Sequence, residues 1–215
     1  MMSERTLILG NKAYSSWSLR PWLALKQAGL PFAETVIPLR QPDTRAQILA
    51  HSPTGKVPCL IDGDRVIWDS LAICEYAAEL APAAALWPED SYARAVARSA
   101  SAEMHSGFVA LRNAMSMDLK TDRSGQGLNP DSAADIARVQ ALWADCRARF
   151  GQGGPFLFGR FSVADAMYAP VVTRFVTYGV AVDETARAYM DAVLALPAMR
   201  EWTAAAKAEP WVLEL

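Results

Sequence analysis

Three short stretches of the chain bring together residue types suited to holding a polar ligand and activating a nucleophile on it. In the first, Ser15, Ser16 and Ser18 cluster just before an apolar helical pattern. A hydroxyl beside the positive end of a helix can donate to an anion, and the unsatisfied amides of the first turn add to that stabilisation. In the second, Val57-Pro58 follows a Gly55-Lys56 turn. The dipeptide alone reads as a trans proline at a strand edge, whereas a cis bond there would present the Val57 amide and carbonyl to an extended peptide ligand. In the third, Asp69-Ser70 opens a helix. The Ser70 amide and hydroxyl suit a carboxylate, with Asp69 alongside for an ammonium. An ordinary helix cap or strand edge has the same look, so no one of these stretches decides a function.

The remaining composition excludes several classes. Two histidines, His51 and His105, and three scattered cysteines, Cys59, Cys74 and Cys146, show no metal-ligand spacing, so no metal is expected. The cysteines read as buried thiols in a reducing compartment. No nucleophile-elbow sequence supports a Ser-His-Asp triad. Lys plus Arg number 21 against 23 for Asp plus Glu, a balance that offers nothing to nucleic acid or an anionic membrane. The longest apolar stretch, Val163 to Val182, is interrupted by Asp165, Pro170 and Arg174, which argues against a membrane span. The opening MMSERTLILG has an apolar run too short for a secretory signal, and a cytoplasmic location is expected.

The elements that must position the three stretches follow from periodicity. Thr6–Gly10 reads as a buried strand, and Leu19, Trp22, Leu23 and Leu25 as one helical face that Gly29 stops. Pro21, which has no amide proton, favours a start near Trp17–Ser18. Phe32–Leu39 is a second strand and Asp43–His51 a short helix. Val57–Ile61 and Arg65–Trp68 flank an Asp62-Gly63-Asp64 hairpin turn, and a helix capped by Asp69 or Ser70 runs to about Leu80. The order β-α-β-α-β-β-α makes an α/β sheet unit. After a linker over Pro82–Pro88 the character becomes all-helical: one long stretch over Ser91–Lys120, then Asp131–Phe150, a helix from Ser162, and Thr185–Ala208 broken at Pro197. Ser162 and Asp165 have capping-box spacing, and Pro170 should kink or divide the helix they start.

Taken in order, a strand leading to SSWSLR, then SPTGKVPCL, WDSLAICEY and SVADA, the chain resembles a soluble glutathione S-transferase over essentially its whole length. SSWSLR is most similar to the zeta, or maleylacetoacetate-isomerase-like, branch. The resemblance implies a thioredoxin-like N-terminal domain over 1–82 and an all-helical C-terminal domain over 88–215, with a homodimer as the assembly. It implies that Ser15 stabilises the glutathione thiolate with Ser16 close by, that Val57 pairs with the cysteinyl backbone beside a cis Pro58, and that Asp69 and Ser70 hold the γ-glutamyl end. Lys56 is the first candidate for the glycyl carboxylate, with Arg40 and Gln41 behind it. Met104, His105, Phe108, Leu111 and Arg112 fall on what the pattern makes the first helix of the second domain, the region facing the sulfur in the family. Of these, His105, Phe108 and Arg112 join Trp17 and Arg174 as an expected electrophile pocket, although spacing alone makes the apolar members core. Arg174 would meet an acidic substrate, or else be solvated or salt-bridged.

Two departures from the branch pattern stand out. Trp17 occupies the position of a cysteine linked to isomerisation, which counts against that activity and leaves the glutathione contacts intact. Tyr14 does not align with the tyrosine of tyrosine-type transferases, whose place falls near Leu9. The implied function is activation of the glutathione thiol for attack on a small electrophile, with glutathione as cosubstrate and no metal. The alternatives are a maleylacetoacetate-type cis-trans isomerase and a non-catalytic transferase-like binding or stress-response module.

Overall fold

The first apolar run forms β1 (Arg5–Gly10), buried over its last four residues because it lies in the middle of a sheet. In the computed structural model, residues 5–214 are described, so the ends of both expected domains, residues 1–4 and 215, lie outside the described residues. β1 pairs in parallel with β2 (Ala33–Ile37) and antiparallel with β3 (Cys59–Asp62), which turns through Gly63-Asp64 into antiparallel β4 (Arg65–Trp68). The strand order is therefore β2-β1-β3-β4. Leu7 and Leu9 face the large core under α1 (Ser16–Gln27) and α3 (Ser70–Leu80). Ile8 faces the other way, with Ile37 and Cys59, toward Ile48 of α2 (Thr44–Leu49). A strand covered on both faces needs no polar alternation, which is why TLILG is apolar throughout.

The second half is helical: α4 (Ser91–Ser106), α5 (Val109–Ala114), α6 (Pro130–Phe150), α7 (Val163–Thr177), α8 (Glu184–Ala195) and α9 (Pro197–Ala208). α7 is buried along nearly its whole length and packs against α1, α3, α4 and α8, so one apolar core runs from the sheet into the helices. No helix among the described residues is long and apolar enough to cross a membrane.

Three expectations need correction. The stretch over Ser91–Lys120 is not one helix. α4 ends at Gly107, where a Cβ would sit 2.7 Å from the Glu103 carbonyl oxygen. Phe108 then turns into the left-handed region at φ 55° before α5, and the chain after Ala114 is irregular up to α6. The break aims the α5 backbone at α6, where the Asp135 carboxylate accepts from the Leu111 amide at 2.9 Å. α1 begins at Ser16, ahead of the start that Pro21 suggested, because Ser15 supplies the cap. α7 is not divided at Pro170 but continues as a single helix with its length buried.

Candidate active site at the N-terminus of helix α1

The loop into α1 is fixed before any ligand arrives. The Asn11 carbonyl accepts from the Tyr14 and Ser15 amides, and the Glu209 carboxylate, beyond α9, accepts from the Lys12 and Ala13 amides at 2.8 and 3.2 Å. Ser15 caps the helix: its hydroxyl accepts from the Ser18 amide at 3.3 Å and donates to the Ser18 hydroxyl at 2.8 Å. The Ser18 oxygen accepts in turn from the Gly10 amide at 3.0 Å, tying the end of β1 to the start of α1. Ser16 is the first residue of the helix, and its hydroxyl accepts from Nη2 of Arg174 at 3.2 Å.

Arg174 is therefore not solvated, contrary to the expectation from sequence, and it makes no salt bridge among the described residues. It is 4% exposed, and its Nε donates to the Met115 carbonyl at 2.7 Å. Burial, reinforced by the like charge of Arg112, pulls its pKa down to about 10. Arg20, on α1, is more extreme. It is wholly buried, and none of its three guanidinium nitrogens has a hydrogen-bond partner among the described residues. Burial and the charges of Arg174 and Arg112 lower its pKa to about 9. Arg20 lies 4.3 Å from the Trp17 ring centre and Arg112 5.4 Å, so Trp17 is flanked by two cations. Nη1 of Arg174 and Nε of Arg112 are also buried without partners among the described residues. Guanidinium donors held out of water without acceptors are costly, and such a group of them marks a place suited to an anion.

Two cavities meet at Trp17. One, of about 620 Å³, is lined by Trp17, Thr54, Lys56, Val57, Pro58, Trp68, Asp69 and Ser70. The other, of about 330 Å³, is lined by Tyr14, Ser15, Ser16, Trp17, Leu39, Ile48, Gly55, Lys56 and Val57. All the residues expected to hold glutathione apart from Arg40 and Gln41 thus border one or both spaces. The Val57-Pro58 bond is cis. Asp69 adopts φ 75° and caps α3 by accepting from the Leu71 and Ala72 amides, while the buried Ser70 hydroxyl has no partner among the described residues. Arg40 is drawn away to the Glu214 carbonyl, and exposed Gln41 lines neither cavity.

Of the expected electrophile residues, His105 and Arg112 lie against Trp17, Arg112 acts on the charge of Arg174, and Phe108 lies apart. His105, at the end of α4, sets its Nε2 3.2 Å from the Asp69 carboxylate and its ring edge-on to Trp17, on the side of the groove meant for glutathione. Phe108 is the left-handed residue between α4 and α5, buried with its ring 6.4 Å from Tyr168, and it lines neither cavity. Leu111 and Arg112 belong to α5, not to the helix that carries Met104. Thr54, Trp68 and Arg20 are missed by reasoning from sequence. For Arg20 a signal exists: it stands three residues after Trp17 in a helix whose neighbouring positions, Leu19, Trp22 and Leu23, are core. Cys59, Cys74 and Cys146 are buried free thiols, each with its pKa raised by burial.

Comparison with known proteins follows the same lines. Residues 14–80 match the model of the glutathione S-transferase N-terminal domain and residues 126–205 that of the C-terminal domain. The chain is 34% identical over 172 residues to a probable maleylacetoacetate isomerase of Caenorhabditis elegans, covering 78% of this chain and 80% of that one. It is 36% identical over 171 residues to glutathione S-transferase Z1 of Arabidopsis thaliana, covering 75% of each. Among solved structures, a glutathione transferase homologue from Burkholderia with bound glutathione superposes with a TM-score of 0.71 at 23% identity, covering 96% of this chain and all of the other. At that identity the likeness speaks to the fold.

Proposed function

The chain belongs to the glutathione S-transferase family, and on that premise we propose that it binds glutathione in the groove around Trp17 and activates its thiol for attack on a small electrophile. The observation that carries this reading is the convergence of the helix α1 N-terminus, the cis Val57-Pro58 bond and the Asp69-Ser70 cap on adjoining cavities. In this reading Val57 pairs with the cysteinyl backbone, Asp69 takes the γ-glutamyl ammonium, Ser70 takes its carboxylate, and Lys56 meets the glycyl carboxylate. The cysteinyl sulfur then lies at the Ser15–Ser16 end of α1.

The energetics suit the arrangement. A free thiol has a pKa near 8.5, and each unit of lowering needs about 1.4 kcal/mol of preference for the thiolate. One hydroxyl donating to an anion contributes about 1.5–3 kcal/mol, and a helix N-terminus about 0.3–1 kcal/mol more. Together they suffice to lower the thiol by one to two units. The thiol proton passes to solvent, the thiolate forms a carbon–sulfur bond, and the electrophile's leaving group departs with the electron pair. The functional unit is a homodimer of two-domain protomers, divided at 1–82 and 88–215, acting in the cytoplasm.

The likeness to maleylacetoacetate isomerases supports a second reading, glutathione-dependent cis-trans isomerisation, against which Trp17 stands in the place of the branch's cysteine. Calorimetric titration with glutathione, followed on the same sample by thiolate absorbance against pH, tests the shared first step. The expected result is binding with a thiol pKa below the free value. Absence of binding at millimolar glutathione overturns both readings and leaves a transferase-shaped module with another ligand.

A further inference from the structure

An aromatic hollow lies away from the glutathione groove, against the linker between the sheet and the helices. Trp87, Phe150, Phe158 and Phe161, each half-buried, line a cavity of about 470 Å³, within the size range of small-molecule sites. It shares no lining residue with either cavity at Trp17. A smaller hollow beside it, which shares Arg160 and Phe161, is bordered by Gln27. Gln27 ends the helix that Ser16 begins, so the length of α1, about 18 Å, separates this place from the groove. The rings are held before any ligand arrives. Nη1 of Arg147 donates to the Gly154 and Phe156 carbonyls, both at 2.7 Å, and the loop closes on itself between Phe156 and Gly159. Phe158 stacks on Phe150 with ring centres 5.5 Å apart, and the Trp87 indole nitrogen donates to Glu75 at 2.8 Å.

We propose that this cavity binds an organic monocation of the alkyl- or arylammonium class, as a second site separate from the glutathione groove. A ring face carries the negative part of the aromatic quadrupole, and several such faces around one space suit an ammonium group taken out of water. The rings already show this preference at their rim: the Arg149 guanidinium lies 4.7 Å from the centre of Phe150 and that of Arg98 5.3 Å from the centre of Trp87. Each of these arginines has its own carboxylate, Asp145 for Arg149 and Glu75 for Arg98, so neither brings unpaired charge to the cavity. Two carboxylates and one guanidinium stand on the wall itself. Glu89 takes part in no salt bridge among the described residues. Asp90 caps α4, with one of its oxygens accepting from the Ala93 amide at 2.8 Å. Arg160 is exposed and also borders the smaller hollow with Gln27, while Arg94 is turned to the Pro88 and Glu89 carbonyls at 2.9 and 2.8 Å. Carboxylates thus outnumber guanidinium groups beside the rings. The rings offer no oxygen to replace the water of a hydrated metal ion, so an ammonium clothed in carbon is the cation that fits.

The test is calorimetric titration of the full chain with phenyltrimethylammonium and, at the same ionic strength, with benzenesulfonate, a probe of similar size and opposite charge. The cation is expected to bind and the sulfonate not to. Trp87→Leu and Phe158→Leu should each weaken the cation about fivefold. Glu89→Gln should weaken it about threefold, and Arg160→Gln should leave it unchanged or tighten it. Circular dichroism establishes folding, and Phe158→Leu serves alone if Trp87→Leu, which loses the bond to Glu75, fails to fold. No binding of the cation at millimolar concentration overturns the proposal. Binding that neither ring variant weakens also overturns it, because the cation would then lie elsewhere. Equal binding of the two probes would mean apolar capture without recognition of charge. Tighter binding of the sulfonate, lost in Arg160→Gln, would give the cavity to an anion. Either result strikes out the ligand class.

Discussion

Helices α7 and α1 both begin inside the protein, and they close their first turns in opposite ways. At α7 three local donors converge on one carboxylate. The Asp165 carboxylate accepts from the Ser162 amide at 2.8 Å, the Ser162 hydroxyl at 2.9 Å and the Leu157 amide at 3.1 Å. At α1 the cap itself is sound, but groups around it have no partner among the described residues: the Ser16 proton, the Arg20 guanidinium and one nitrogen each of Arg174 and Arg112. Both ends cost desolvation. At α7 that cost is offset by hydrogen bonds within the fold, which makes it an anchor. At α1 the described residues supply no such bonds, and an arrangement whose polar groups the fold does not satisfy points to binding.

The largest effect expected from this contrast is at α7. Asp165→Ala should leave the Ser162 and Leu157 amides buried without acceptors and lower the unfolding free energy by about 2–5 kcal/mol in urea titration, at about 1–3 kcal/mol per orphaned donor. A loss under about 1 kcal/mol would mean that water reaches the α7 end and that the two helix ends are not different in kind. Asp165 also gives a pH signature. Burial raises its pKa to about 6 against the downward pull of its hydrogen bonds. The folded state therefore holds a proton that the unfolded chain has released, so the carboxyl's stabilisation is full below about pH 4 and is lost as pH rises through about 6. The stability gap between wild type and Asp165→Asn should narrow over that interval.

The α7 end is also the more legible of the two in the sequence. Ser162 and Asp165 announce their roles through spacing alone, because a capping box is local. The same holds for β1, for the Gly63-Asp64 hairpin and for Gly29, which takes φ 67° at the end of α1. Legibility fails where a residue's role depends on a distant partner. Arg174 reads as a surface arginine until α7 is seen buried between α1 and α4, with Met115 and Ser16 as its acceptors. The family resemblance groups His105 with the electrophile because it cannot show that Asp69, the cap of α3, lies across from it. The break at Gly107-Phe108 is invisible for a related reason: a lone glycine in a helical pattern is tolerated, and the contact that requires it becomes apparent only in three dimensions.

Arg20→Met asks whether α1 is truly left unsatisfied. Arg20 is buried, charged and unpaired, so an apolar side chain of similar length should raise the unfolding free energy by about 1–3 kcal/mol, opposite in sign to the change at Asp165. Loss of its contact with Trp17 trims the gain by about 0.5–2 kcal/mol. Denaturant titration of the ligand-free protein reads the result directly. A destabilised variant would show that the guanidinium already has its partner in the folded chain, and the contrast between the helix ends would have to be withdrawn on this side.

The smallest effect separates binding from stability at a single atom. Ser70 shares the logic of α1 on the neighbouring element: its hydroxyl is buried and unpaired in a residue that lines the larger cavity. Removing an unpaired hydroxyl takes nothing from the fold, so Ser70→Ala should match or slightly exceed the wild type in unfolding free energy. In the glutathione-binding reading, the same hydroxyl donates to the γ-glutamyl carboxylate, and its loss should weaken binding by about tenfold, or about 1.4 kcal/mol. Calorimetry and denaturation on one preparation resolve the two quantities. An unchanged dissociation constant would detach Ser70 from the ligand, whereas a fall in stability would mean that its hydroxyl is already engaged within the protein. Weaker binding at equal stability is the signature of a donor held in reserve for a ligand, and the capping residues of α7 should not show it.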